Sequence, residues 1–239
     1  MTIITKMKNS LLRLLFPLRC PVCDGIVRHS EGKICAHCEP RLKLLTPPWC
    51  LKCGKKVEDG MSLCEDCQRT GHTYDRGRAL YEYSSAAPGL YRFKYSGRQE
   101  YADFYADQAA EYLGEFIKSV NPDALIPIPL HPKRKNKRGY NQAEVLALRI
   151  GEKMDIPVYS DLLLRSRNTR PLKRLSRQER QNNLKNAFII RQNDVKLGVT
   201  ILIDDIYTTG ATIDEAAGVL KAAGAREVYF LSLACGAGV

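Results

Sequence analysis

No stretch of this chain is long and apolar enough to span a bilayer. The strongly apolar segment near its start, residues 11–18, is broken by Arg13 and followed by no small-residue cleavage site. It is expected to be a short amphipathic helix packed on the module that follows. Membrane contact is then at most indirect, and a cytoplasmic location is expected. No Gly-x-x-x-x-Gly-Lys-Ser/Thr sequence occurs, which excludes a P-loop nucleotide hydrolase. Acids are in deficit: 26 Asp and Glu face 37 Lys and Arg, leaving a net charge of +11. That surplus implies an anionic partner, either a phosphate-bearing small molecule or nucleic acid, without choosing between them. An apolar share of 44% with 26% charged residues excludes wholesale disorder, and 239 residues hold one α/β domain plus a small module.

What is abundant is cysteine in pairs. Eight of nine form four Cys-x-x-Cys units: Cys20/Cys23, Cys35/Cys38, Cys50/Cys53 and Cys64/Cys67. Four thiolates in two such units suit tetrahedral zinc. The units repeat, with Cys20 and Cys23 recurring as Cys50 and Cys53, and Cys35 and Cys38 as Cys64 and Cys67. Gly25 and Gly54 follow the first unit of each repeat, and Gly32 and Gly60 precede the second. The repeat predicts two successive four-cysteine zinc ribbons with closed, structural sites; a cross-braced pairing is the alternative. A disulfide framework is the rival and is disfavoured by the reducing compartment expected. Cys235 stands alone and is expected to be a small buried hydrophobe.

Residues 199–212 carry the densest chemistry. An apolar β-branched run at 199–203 predicts a buried strand, with Asp204 and Asp205 at its carboxyl end, where open α/β sheets bind ligands. Thr208, Thr209, Gly210, Ala211 and Thr212 then offer backbone N–H groups and hydroxyls at a helix N-terminus, an anion site. Ile213, Ala216, Ala217, Leu220 and Ala223 form one apolar stripe, Gly224 stops the helix, and 228–233 returns as a strand, completing a β-α-β unit. Adjacent carboxylates suit a vicinal diol or a divalent cation. The segment resembles the phosphoribosyl pyrophosphate (PRPP) loop of type I phosphoribosyltransferases, in which the dyad takes ribose hydroxyls and the Thr/Gly loop the 5-phosphate.

Strands are predicted at 79–84 and 89–95, and a helix over 99–118 with Phe104, Ala109, Tyr112, Leu113, Phe116 and Ile117 in the core. Asn121-Pro122 ends it. A short strand over 123–129 leads into a basic run at 133–138, and Ala143, Leu146, Ala147 and Ile150 mark another helix. The run follows a strand and precedes a helix, so it is expected at the same sheet edge as the phosphate loop. A second basic stretch, 165–180, lies between apolar segments at 162–164 and 187–190. It reads as an active-site hood or a nucleic-acid arm, using guanidinium forks on phosphate oxygens.

The cysteine module, Leu-Leu-Phe-Pro before it, Lys94-Tyr-Ser-Gly97, Pro127-Ile-Pro-Leu-His-Pro132, Arg138-Gly-Tyr-Asn-Gln142, Leu175-Ser-Arg-x-Glu-Arg180 with Asn183, and 204–212 together resemble the ComF family of competence proteins. The resemblance spans nearly the whole chain. It implies a cytoplasmic factor for internalising transforming single-stranded DNA beside a ComFA-type ATP-driven translocase. It also implies a type I phosphoribosyltransferase-like parallel sheet at 73–239 behind a double zinc ribbon at 1–72. Zinc at two structural sites and magnesium with PRPP are the implied cofactors. The implied PRPP-binding residues are Asp204, Asp205, Thr208, Thr209, Gly210, Ala211 and Thr212, with Pro129, Leu130, His131, Lys133 and Arg134 at the pyrophosphate. Lys94, Lys135, Lys137, Arg138, Arg170, Lys173, Arg174, Arg177 and Arg180 are candidate nucleic-acid or phosphate contacts. Leu172 stands where the family usually has Gln.

Whether the chain catalyses is left open, and no catalytic residue is assigned. Related enzymes acting on 6-oxopurines carry an acid at the place of Thr208, so that chemistry is disfavoured. The alternative to a DNA-uptake factor is an active phosphoribosyltransferase in nucleotide or cofactor salvage; a zinc-stabilised scaffold with a degenerate site is the blandest reading. Tyr91, Tyr95 and Tyr140 could stack bases, with at least two of them expected to be buried.

Overall fold

The structure, a computed structural model, describes residues 17–28, 32–166, 186–191 and 197–236. The segment 11–16 and the second basic stretch beyond Ser166, with Arg170, Leu172, Lys173, Arg174, Arg177 and Arg180, lie outside the described residues. Among the described residues no helix is long and apolar enough to cross a membrane.

After a short helix α1 (Glu65–Arg69) the chain alternates strand and helix: β1 (Gly77–Glu82), α2 (Tyr83–Tyr95), α3 (Tyr101–Val120), β2 (Ala124–Pro127), α4 (Pro132–Arg138) and α5 (Gln142–Met154). A two-stranded antiparallel ribbon, β3 (Leu163–Arg165) with β4 (Phe188–Ile190), is followed by β5 (Val199–Tyr207), α6 (Ala211–Ala222) and β6 (Glu227–Cys235). β1, β6, β5 and β2 line up in that order, every neighbouring pair parallel. The expected β-α-β unit is therefore β5-α6-β6, and α/β with a parallel sheet behind a double zinc ribbon is the fold class found.

A parallel sheet buried on both faces needs apolar residues at every position, and the strands supply them. Ile201, Ile203, Leu231 and Leu233 point to one core; Leu202, Val228 and Phe230 point to the other. Each fully buried side chain of this size contributes about 1.5–3 kcal/mol. The first core is closed by α2, α3, α5 and also by Cys20, Val27, Ile34 and Cys38. The second is closed by α6 together with Cys50, Cys53, Cys64 and Cys67. The two ribbons thus pack on opposite faces of one sheet.

Three expectations need correction. Residues 89–95 are helix, not strand. Tyr91, Arg92, Phe93, Lys94 and Tyr95 alternate aromatic and basic, which mimics a strand, but the buried set is Ala86, Gly89, Leu90 and Phe93, a helical stripe. The stripe packs so closely on the first ribbon that a Cβ on Gly89 would lie 2.1 Å from the Pro21 carbonyl oxygen. Tyr112, expected in the core, is exposed on α3, and Ala223 is the exposed residue that caps α6. Of the three candidate stacking tyrosines only Tyr140 is buried; Tyr91 and Tyr95 are exposed, because they sit four residues apart on the outer side of α2.

Candidate functional site

The zinc sites follow from local geometry. In the first ribbon Cys20 N–H donates to the Gly25 carbonyl at 2.8 Å and Asp24 N–H to the Cys20 carbonyl at 2.9 Å; in the second, Cys50 and Gly54 repeat both bonds with Lys55 and Cys50. These turns aim both sulfurs of a Cys-x-x-Cys unit at one point. The quartets are Cys20, Cys23, Cys35 and Cys38, and Cys50, Cys53, Cys64 and Cys67, each with all sulfurs within 4.8 Å of one another. A tetrahedral ion with zinc–sulfur bonds of about 2.3 Å requires sulfurs about 3.8 Å apart. Cys23 and Cys35 are separated by 3.8 Å and Cys53 and Cys64 by 3.6 Å, so both quartets fit zinc. The pairing is sequential within each repeat. Zinc here would be a structural cross-link with every ligand position taken by protein.

At the carboxyl ends of the strands lies a cleft of about 630 Å³. β5 runs past the apolar segment to Tyr207, carrying Asp204 and Asp205 to the cleft wall, and Thr208, Thr209, Gly210, Ala211 and Thr212 curl around its end into α6. Gly210 is the N-cap in the left-handed region, with φ of 82°. A Cβ there would meet the Tyr207 hydroxyl at 2.8 Å, so this position requires glycine on both counts.

The dyad is not free. Lys94 Nζ lies 2.9 Å from Asp205 Oδ1, both side chains mostly buried. Asp204 Oδ1 accepts from the Asp205 amide at 2.8 Å. Burial, and next the negative charge of Asp205, push the Asp204 carboxyl up to about 7, against the opposing pull of Lys94.

The basic run is a seven-residue helix, α4, entered through an N-cap at His131 and left through Gly139 in the left-handed region. Helical phase then divides its cations. Arg134 and Arg138, four apart, share the face that lines the cleft. Lys135 turns to Glu144, 2.9 Å away, and Lys133 and Lys137 are exposed outside the cleft. Leu130 lines the cleft, whereas Pro129 and His131 do not; the His131 ring accepts from the Lys133 amide at 3.3 Å. The expected contacts are therefore brought together at Lys94, Leu130, Arg134, Arg138, the dyad and the Thr/Gly loop, and not at Pro129, His131, Lys133, Lys135 or Lys137.

Several residues at the site escape sequence reasoning. Gln142 donates to the Lys94 backbone carbonyl at 3.2 Å and accepts from Arg138 at 3.0 Å, so one amide ties the end of α2 to a cleft cation. Asn141 caps α5 and donates to the buried Ile128 carbonyl at 3.0 Å, and the Tyr140 hydroxyl donates to the Phe93 carbonyl. The Arg-Gly-Tyr-Asn-Gln segment is thus a clamp on the end of α2. Arg165, at the start of the second basic stretch, also lines the cleft, and burial pulls its guanidinium down to about 10. Tyr207 lines it from β5. The family resemblance marks the Arg138–Gln142 segment and the 204–212 motif that contains Tyr207, but assigns Asn141, Gln142 and Tyr207 no role at the site.

Residues 11–68 match the double zinc ribbon domain family. The chain is 33% identical over 218 residues to competence protein ComFC of Streptococcus pneumoniae, covering 87% of this chain and 90% of that one. It is 29% identical over 230 residues to competence protein F of Haemophilus influenzae, covering 92% and 97%. Among solved structures, a purine phosphoribosyltransferase from Pyrococcus horikoshii superposes with a TM-score of 0.36 at 20% identity, over 54% of this chain and 72% of that one. With a double zinc ribbon, a parallel sheet and relatives matched along nearly their whole length, the chain belongs to the ComF family of competence proteins.

Proposed function

We propose that this protein is a DNA-uptake factor that assists internalisation of transforming single-stranded DNA and carries a PRPP-binding site in its cleft. One observation carries the second half: a carboxylate dyad, a Thr/Gly helix N-terminus and four cations, Lys94, Arg134, Arg138 and Arg165, face a single cavity of a size suited to a small ligand. The loop 208–212 would hold the 5-phosphate, Asp204 and Asp205 the ribose hydroxyls, and Arg134 and Arg138 the pyrophosphate with its magnesium. A ligand diol reaching Asp205 must share that carboxylate with Lys94 or displace it.

The DNA half is supported by the relatives named as competence proteins and by the cleft rim. Tyr91 and Tyr95 are exposed with ring centroids 5.0 Å apart, and the Arg138 guanidinium lies 4.6 Å over Tyr95. Exposed rings beside guanidinium groups suit stacked bases and their phosphates. In this reading residues 1–72 and 73–239 are the two units, the location is cytoplasmic, and the partner is a ComFA-type translocase.

Calorimetric titration of the zinc-loaded protein with PRPP and magnesium tests the cleft. Binding abolished by the double change Asp204→Asn/Asp205→Asn supports it, and no binding by the unmodified protein overturns it. DNA binding that falls steeply with salt supports the other half; no binding at low salt removes it. One observation favours phosphoribosyl transfer as a second reading: a carboxyl near 7 beside the sugar position could exchange a proton at neutral pH. Pyrophosphate release on adding nucleobases would establish that activity.

A further inference from the structure

The 208–212 loop is held from behind by His72, Thr73, Tyr74 and Asp214, none of which lines the cleft. His72, just past the second ribbon, has a fully buried side chain stacked on Tyr74, with centroids 4.7 Å apart. Its Nδ1 lies 2.7 Å from Asp214 Oδ2, and the Thr73 amide donates to Asp214 Oδ1 at 2.8 Å. Asp214 sits in the first turn of α6, and its own amide donates to the Gly210 carbonyl at 2.8 Å. One residue on, the Tyr74 and Tyr207 hydroxyls share a buried hydrogen bond of 2.7 Å. Tyr74 belongs to the core that contains Cys50, Cys53, Cys64 and Cys67. The fit is close, since a Cβ on Gly210 would stand 3.0 Å from His72 Cε1.

His72 also carries an unusual feature. Its Nε2 is buried with no hydrogen-bond partner among the described residues. An unpaired buried polar atom destabilises a fold, so a purely space-filling role would be served better by an apolar ring. What histidine adds is the Nδ1–H aimed at Asp214.

We infer that His72 is a positioning residue through which the second zinc ribbon sets the conformation of the anion-binding loop 208–212. The Asp214 carboxylate, held by the Thr73 amide and the His72 ring, fixes the first turn of α6 and with it the direction of the loop amides. The second ribbon is then part of the phosphate site, although none of its cysteines reaches the cleft. The purpose of this device rests on the sugar-phosphate reading, but its existence does not.

The test is amide hydrogen exchange on the full, zinc-loaded chain. His72→Ala should raise exchange of amides 208–214 roughly tenfold or more, the effect of losing one hydrogen bond to a charged group. Two zinc ions per chain and unchanged exchange over 101–120 would show that the rest of the fold is intact. His72→Asn, whose amide nitrogen stands near the place of Nδ1, should restore most of the protection. If His72→Ala does not fold, Asp214→Asn reads the same segment by replacing a charge-assisted bond with a neutral one. Unchanged exchange of 208–214 in the folded variant, or no rescue by asparagine, overturns the inference. PRPP titration runs beside it: failure of the unmodified protein to bind refutes the sugar-phosphate reading alone, while the exchange data still decide the role of His72.

Discussion

Asp204→Asn should stabilise the protein while abolishing its ligand binding. The carboxyl of Asp204 stands at about 7 in the folded chain against an ordinary value of 3.8, because it is buried beside Asp205. A value raised by folding means that ionisation costs the folded state more than the unfolded one. The penalty is absent below about pH 4, grows as pH climbs toward 7, and is constant above. The displacement corresponds to about 4 kcal/mol at the alkaline plateau, and solvent reaching a half-buried carboxyl reduces this to about 2. Asparagine removes the charge and keeps an oxygen for the Asp205 amide, which Asp204 accepts at 2.8 Å. In a chain of this length about 2 kcal/mol raises the melting temperature by about 4–8 °C. The assay is thermal and urea unfolding of both forms at pH 6 and pH 8.5, with zinc content matched. The gain from the substitution should be larger at pH 8.5 than at pH 6 by about 1 kcal/mol or less. An asparagine variant no more stable than the parent at pH 8.5, or one whose gain shrinks with rising pH, would refute the assignment of Asp204 as a strained carboxylate.

Gly210→Ala combines a φ of 82° with a 2.8 Å approach to the Tyr207 hydroxyl and should cost about 1–3 kcal/mol, read as a lowered melting temperature. Asn141→Ala leaves the buried Ile128 carbonyl unpaired and uncaps α5, for a loss of about 1–3 kcal/mol in urea unfolding. Arg138→Ala should weaken single-stranded DNA binding about five- to fiftyfold and lower the salt slope by about 1, whereas Lys137→Ala, on the outer face of α4, should do neither. Chelation should release two zinc ions per chain, and Cys50→Ser should raise hydrogen exchange first in α6 and β6, Cys20→Ser first in α2 and α3, since each quartet belongs to a different core.

What sequence revealed and what it hid divide along one physical line. The strand, dyad, loop and helix of 199–222 are contiguous, so their chemistry and their order are written in one short segment. The cysteine quartets are legible because the repeat fixes which units close on one ion. Arg134 and Arg138 were harder: in a run with cations at five of six positions, only helical phase separates the two that face the cleft from Lys133, Lys135 and Lys137. The end of α2 misled for the same reason, its aromatic–basic alternation carrying a period of two while Ala86, Gly89, Leu90 and Phe93 follow the helix. The pairing of Lys94 with Asp205 joins residues 111 positions apart, and no local pattern could announce it.

The same line explains why the zinc module looks separable in sequence and is not so in structure. Short cysteine-rich repeats fold around their metal, which suggests an appendage. Here each repeat spends its buried side on the sheet. Asp24 of the first turn accepts from Arg98 at 2.8 Å and from the Tyr101 hydroxyl, and Arg92 donates to the Val22 carbonyl at 2.6 Å, so the first ribbon braces the two helices on the Lys94 side of the cleft. The second ribbon braces the 208–212 loop from the opposite face through His72 and Tyr74. A cation arm and an anion loop meeting across a cleft must keep their separation to within a fraction of an ångström. Fixing each half to its own zinc ribbon, on its own side of a shared sheet, meets that requirement without placing either cysteine quartet in the cleft.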